Sequence, residues 1–219
     1  MRSRRIRSAA AGLVAVLLGA CAAPAPRDLT AFRQSRPASM LVLPPVNESP
    51  ELHASDAVLA TATAPLADAG YYVFPVAMVR DTFRRNGLTV PNDIHALPIA
   101  RLREIFGADA AVYLRVTDYG TRWFVIGSET RVAIEARIVD LRDGALLWEG
   151  EASASSGENG AAGGGGLAGL LVRGIVEQIA GTVSDAGYDY AAVANRRLLG
   201  AGRHDGILPG PRAPASQPH

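Results

Sequence analysis

Three segments near the middle of this 219-residue chain alternate apolar and polar residues with a period of two. In Ala111 to Tyr119, Val112, Leu114 and Val116 alternate with Tyr113, Arg115 and Thr117. In Thr130 to Leu141, Val132, Ile134, Ala136 and Ile138 alternate with Arg131, Ala133, Glu135 and Arg137. Successive side chains of a strand point to opposite faces, so each segment reads as a strand with one buried and one wet face. Ala145 to Ala154 is the third strand, reached through Arg142-Asp143-Gly144. Asp-Gly favours a type I′ turn, in which both central residues take positive φ. Three strands joined in this way form an antiparallel meander that must cover one face.

Helical periodicity on either side supplies candidates for that cover. Met40 to Leu43 is a short apolar run stopped by Pro44-Pro45, a buried strand entering a turn. Ser55 to Ala69 reads as a helix with Gly70 past its end, and Tyr71 to Phe74 as a second strand. Val76, Val79 and Phe83 stand at helical spacing in Val76 to Arg85, which Asn86-Gly87 closes. Pro98 suits the first turn of a helix running through Leu102 and Ile105 to Gly107. Leu167 to Val183, apolar at Leu171, Ile175, Ile179 and Val183, is the last strong helix and the one expected to cover the meander. The fold class is therefore α/β, with a mixed sheet, a C-terminal antiparallel meander and helices on one or both faces. A transmembrane barrel is disfavoured, because Arg131, Glu135 and Arg137 on a lipid-facing surface would cost about 2 to 4 kcal/mol for each Arg at the midplane.

The amino terminus is of another kind. MRSRRIRS carries four arginines and no acid and leads into an apolar run, Ala9 to Ala20, which is too short to span a bilayer. That is the form of a signal peptide, and its end, Leu18-Gly19-Ala20-Cys21, resembles the bacterial lipobox. The resemblance implies that Cys21 is lipidated and becomes the first residue of the mature chain. Several acyl chains on one residue make a durable anchor, where a single chain holds marginally. Cys21 is the only cysteine, so an internal disulfide is excluded.

Residues 1 to 20 hold four of the 22 basic residues and none of the 21 acidic ones, which leaves the mature chain with a formal charge of −3. A mildly acidic chain lacks the clustered basic face that nucleic acid requires. The sequence contains no lysine, which excludes a Schiff-base or P-loop lysine. The organisation reads as signal peptide 1–20, lipidated tether 21–38, domain 39–187 and C-terminal extension 188–219. The four prolines between Gly200 and His219 predict disorder beyond about residue 200.

Motifs for chemistry are weak. Gly164 to Gly169 satisfies G-x-G-x-x-G, with Asp185 or Asp189 about 20 residues on, but it follows a meander rather than opening a βαβ unit, so no cofactor is expected. Glu51, His53 and Asp56 match no zinc spacing, His95 is isolated, and His204 and His219 fall in the tail, so no metal is expected either. Asn47-Glu48-Ser49 is a glycosylation sequon in a chain whose leader is bacterial. No G-x-S-x-G elbow is present, and no catalytic residue is assigned.

MLVLPPVNESPEL, ADAGYYVFPVAMVRDTF, LREIFGADAAVYLRVTDYG and VDLRDGALLWEG together resemble the family of bacterial lipoproteins of unknown function represented by a neisserial genome-derived surface antigen. The similarity runs from about Ser39 to Ala186. More loosely, the strand-helix-strand opening and the D-x-x-x-G-x-x-L-W of Asp140 to Trp148 are similar to the amino-terminal domain of TolB and to the curli-secretion lipoprotein CsgG. These resemblances imply helices on a mixed sheet and work in envelope assembly or transport.

The resulting expectation is an outer-membrane-anchored lipoprotein that is not an enzyme. It binds partners in the periplasm, such as another lipoprotein or a transporter, with homo-oligomerisation and surface exposure left open. Ala22 after the lipidated cysteine, rather than Asp, fits outer-membrane sorting. The candidate partner surface is the hairpin Tyr119 to Phe124, with Tyr119, Arg122 and Trp123 as anchors, because Tyr, Trp and Arg dominate interface hot spots; the equal alternative is that Trp123 and Phe124 pack in the core. Alternatives are a subunit of a CsgG-like channel, or a nucleotide-binding protein using the glycine loop.

Overall fold

The computed structural model describes residues 27–124, 128–158, 186–202 and 206–214. Its strands are β1 (Ser39–Val42), β2 (Val46–Asn47), β3 (Tyr72–Val73), β4 (Ala110–Trp123), β5 (Ser128–Asp140) and β6 (Leu146–Ser155). The helices are α1 (Thr30–Ser35), α2 (Ala54–Asp68), α3 (Val76–Arg85), α4 (Pro91–His95), α5 (Ile99–Phe106) and α6 (Ala186–Leu199). The sheet runs β3-β1-β4-β5-β6, with β2 also on β4. β1 is parallel to β3 and β4, whereas β4, β5 and β6 are the antiparallel meander. The expected mixed sheet with helices is thus observed.

Prolines shape the passage from β1 to β2, both of which pair with β4. Val42 pairs with Val112 and Val46 with Arg115, so four steps on one strand match three on the other. Pro44 and Pro45 occupy that bulge, where two residues without N–H groups leave no ladder bond unmade. Pro65 lies inside α2 near its end without breaking it. The helix stops at Ala69, and Gly70 turns the chain at φ +91 into β3.

Two cores lie on the two faces of the sheet. On the inner face, α2 and α6 cover Met40, Val42, Val112, Leu114, Val116, Val132, Ile134 and Ile138, all buried. Among the described residues this cover is made by α2 and α6; Leu167 to Val183, the helix expected there, lies outside them. The α2–α6 seam is tight. Asn195 donates from its buried amide to the Val58 carbonyl (2.9 Å) and to Thr61 Oγ1 (2.8 Å). A Cβ on Gly187 would stand 2.5 Å from the Tyr119 ring. On the outer face, α3, α4 and α5 pack Val79, Phe83, Ile94 and Leu102 over Leu41, Leu43, Ala111 and Tyr113. This outer cover ends at the row of Tyr113. Arg137 and Glu149 in that row, and Arg115, Glu135 and Glu151 beyond it, stay exposed.

Four expectations are corrected. Within the stretch read as tether, 27–38 belongs to the folded unit, because Leu29 and Phe32 are buried and α1 packs on the core. The boundary at 187 is also wrong, since α6 extends to Leu199 and buries Ala191, Ala194, Leu198 and Leu199. Disorder beyond about 200 fails for 206–214: Ile207 is buried, Gly210 N–H donates to the Ala69 carbonyl (2.7 Å) and Arg212 N–H to that of Gly70 (3.1 Å). Two glycines allow this strap to lie so close, because a Cβ on Gly70 would stand 2.1 Å from Ala213 N and one on Gly210 2.6 Å from the Gly70 oxygen. The β5–β6 turn is not type I′, for only Gly144 there has positive φ. It is a four-residue loop, closed by Asp140 N–H on the Ala145 carbonyl (2.9 Å) and Gly144 N–H on that of Asp140 (3.0 Å).

Candidate functional site

The long β4–β5 pair outruns its neighbours. β6 ends at Ser155 opposite Arg131, and β2 ends opposite Val116, so Gly120 to Trp123 and Ser128 to Thr130 form a two-stranded arm. An isolated hairpin is marginal in water, and this one is braced along its length. Arg122 donates twice to the Asp118 carboxylate (2.9 and 3.0 Å), and the Thr121 and Thr130 hydroxyls bond across the pair at 2.8 Å. At its end Trp123 is 81% exposed and Phe124 58%.

The three residues expected on this surface therefore separate. Trp123 and Arg122 project into solvent, whereas Tyr119 is buried at the arm's root against α6 and is unavailable to a partner. The bulge between Val116 and Asp118 sets this phase, placing Tyr119 opposite Val132 on the inner face.

A second surface is the uncovered half of the outer face. Across the strands its rows read Tyr113, Arg137, Glu149 and then Arg115, Glu135, Glu151. Arg115 pairs with Glu48 and stands 3.8 Å from Glu135. At the border with α4, the Arg137 guanidinium lies over the Tyr113 ring at 4.8 Å, and the His95 ring meets that ring edge-on at 5.2 Å. His95 Nε2–H donates to the Pro44 carbonyl (2.9 Å). Burial pushes the His95 pKa down, against the Pro44 bond, so the imidazole is neutral at pH 7; burial likewise pushes the Tyr113 phenol up. Sequence alternation read Tyr113 as a wet-face residue. Helix α4, far away in sequence, roofs it instead.

Two carboxylates missed in the sequence lock the scaffold. Asp109 accepts from the Ala38 and Ser39 backbone N–H groups (2.9 and 3.1 Å) and from the Ser39 hydroxyl (3.0 Å), fixing β1 against β4. Asp140 takes Arg142 (Nη2 at 2.5 Å) and the Ser35 hydroxyl (2.7 Å), tying α1 to the β5–β6 turn. Desolvation works to raise the Asp140 pKa, but these bonds outweigh it and hold the carboxyl at about 2.

The remaining sequence candidates do not converge. Asp56 pairs with Arg80 (2.7 Å), and Glu51 lies by Gly120 with its carbonyl accepting from Asn47. Among the described residues no three His, Cys, Asp or Glu side chains are grouped to hold a metal. The Asn47 amide is engaged with the Ser49 backbone and hydroxyl. Cys21, Gly164 to Gly169, Asp185, His204 and His219 lie outside the described residues. No helix among the described residues is long and apolar enough to cross a membrane.

Fold and comparison together define the class, a lipoprotein-type α/β domain. A family profile described as "Putative lipoprotein GNA1162-like" matches residues 27–212, and the chain belongs to that family. It is 49% identical over 210 residues to the lipoprotein NMB1124/NMB1162 of Neisseria meningitidis serogroup B, covering 94% of this chain and 97% of the relative. The crystal structure of lipoprotein GNA1162 from Neisseria meningitidis, 49% identical, superposes with a TM-score of 0.54 over 67% of this chain and all of that one. A PelC dodecamer from Paraburkholderia phytofirmans is more remote, at 12% identity, a TM-score of 0.44 and coverage of 74% of this chain and 86% of that one, a level of likeness that carries no functional argument.

Proposed function

We propose that the protein is a non-catalytic binding module of the cell envelope, held at the outer membrane by lipid on Cys21 and serving transport or secretion by keeping a partner protein at the membrane. The observation that carries this is the arm. A tryptophan 81% exposed beside a phenylalanine 58% exposed, on a braced hairpin clear of the core, is surface that solvent alone does not favour. Tryptophan and arginine side by side are what protein interfaces use as anchors. Tethering then raises the effective concentration of module and partner with no added contact. The Ala22 that follows Cys21 supports outer-membrane sorting.

The test is to crosslink the native protein in cells, solubilise the envelope and identify its companions by mass spectrometry, with Cys21→Ser as control. The reading expects a reproducible envelope protein that is lost with Cys21→Ser and reduced at least about tenfold with Trp123→Ala, as for a hot spot worth more than 1.4 kcal/mol. Recovery of a lone monomer contradicts it.

A further inference from the structure

We infer that the cleft of about 500 Å³ between α4 and the uncovered half of the outer face binds a small amino-acid-like zwitterion, a carboxylate and an ammonium a few atoms apart, as in a short peptide. The volume lies in the range of small-molecule sites. Three features specify the chemistry.

The first is a charge left unpaired. Arg137 and Glu149 are direct cross-strand partners, whose Cβ atoms lie about 5 Å apart and whose side chains ordinarily pair. Instead Arg137 leans to the other side, over Tyr113, and no ion pair within 4.0 Å forms between it and any described carboxylate. Opposite charges on adjacent strands thus remain unpaired with each other. The second is Tyr113 itself, 6% exposed and lining the cleft, a phenol whose hydroxyl can donate to a ligand oxygen. Neutral His95, fixed by Pro44, holds the phenol ring in place from the α4 side. The third is the mixed sign of the surroundings. Three carboxylates, Glu135, Glu149 and Glu151, and three guanidiniums, Arg27, Arg115 and Arg137, line the cleft, so it favours a ligand that carries both signs over a bare anion or a bare cation. In the bound state the carboxylate accepts from the Arg137 guanidinium and the Tyr113 hydroxyl, and the ammonium donates to Glu149, with Glu151 the next carboxylate along the same strand.

The test uses the lipidated full chain in detergent micelles and saturation-transfer NMR with four probes: alanyl-alanine, its N-acetyl form, its C-terminal amide, and phosphoethanolamine. The dipeptide should bind, and each single-charge analogue should bind at least about tenfold more weakly, as expected when one charge-assisted contact is lost. Arg137→Gln and Glu149→Gln should each weaken dipeptide binding by a similar factor, while Arg84→Gln, distant from the cleft, should leave it unchanged. Both residues are exposed, and a thermal melt confirms that each variant is folded. No dipeptide binding, or binding indifferent to Arg137→Gln and Glu149→Gln, overturns the proposal. Phosphoethanolamine binding without dipeptide binding also overturns it, reassigning the cleft to lipid head groups.

Discussion

The two faces of one sheet meet opposite fates. The inner face is covered by α2 and α6, and its rows are mostly aliphatic, with Trp148 beside Ile138, Tyr119 beside Val132 and Asp140 at the edge beside Ala110. The outer face is roofed only as far as Tyr113, and past that row it turns to Arg and Glu. Strands β4 and β5 serve both, carrying a core on one side and an open surface on the other. Buried cores thus lie where helices cover the sheet, and the outer half and the arm remain exposed.

That contrast breaks if substitutions on the two faces cost alike. The largest effect belongs to Ile138→Ala on the inner face, where deletion of a fully buried side chain should cost about 2 to 5 kcal/mol in urea unfolding. Asp140→Asn comes next. Its folded pKa of about 2 lies below the usual 3.8, so the carboxylate contributes stability above pH 4 that is lost as pH falls from about 4 through 2. The shift corresponds to about 2 kcal/mol at pH 7, and the gap between wild type and variant should close in melts carried toward pH 2. Gly70→Ala sharpens the account of the strap. With a positive φ and a backbone nitrogen 2.1 Å from the new Cβ, it should cost about 1 to 2 kcal/mol and speed proteolysis after Arg212. On the open face, Glu135→Gln should change stability by less than about 0.5 kcal/mol, as exposed pairs do.

How much of this was legible depended on the range of the interaction. Val112, Leu114 and Val116 announce their strand by alternation, and α3 spans the residues that Val76, Val79 and Phe83 predict, because both patterns reflect local geometry. Tyr113 was misread because its cover arrives from α4, 18 residues away. The Asp140–Ser35 bond closes over 105 residues, and no local pattern signals it. The strap misled for another reason. Proline and glycine usually report a chain that cannot pack, yet here glycines permit a backbone approach that Ile207 turns into burial. For the candidate surface, the sequence marks a hairpin with Arg122 and Trp123 but leaves Trp123 equally able to pack in the core, and the orientation of Tyr119 depends on a bulge that the sequence does not mark. The stretches that carry the family resemblance contain both scaffold carboxylates, Asp109 and Asp140, which here serve architecture.

The most direct test of the tethered module is photo-crosslinking in intact cells from the tip of the arm. Trp123→benzoylphenylalanine is compared with the same residue placed at Glu104, an exposed position on α5. The account predicts a discrete adduct with another envelope protein from position 123, none from 104, and loss of the first when Cys21→Ser removes the anchor. Equal labelling from both positions, or no adduct from 123, would contradict it.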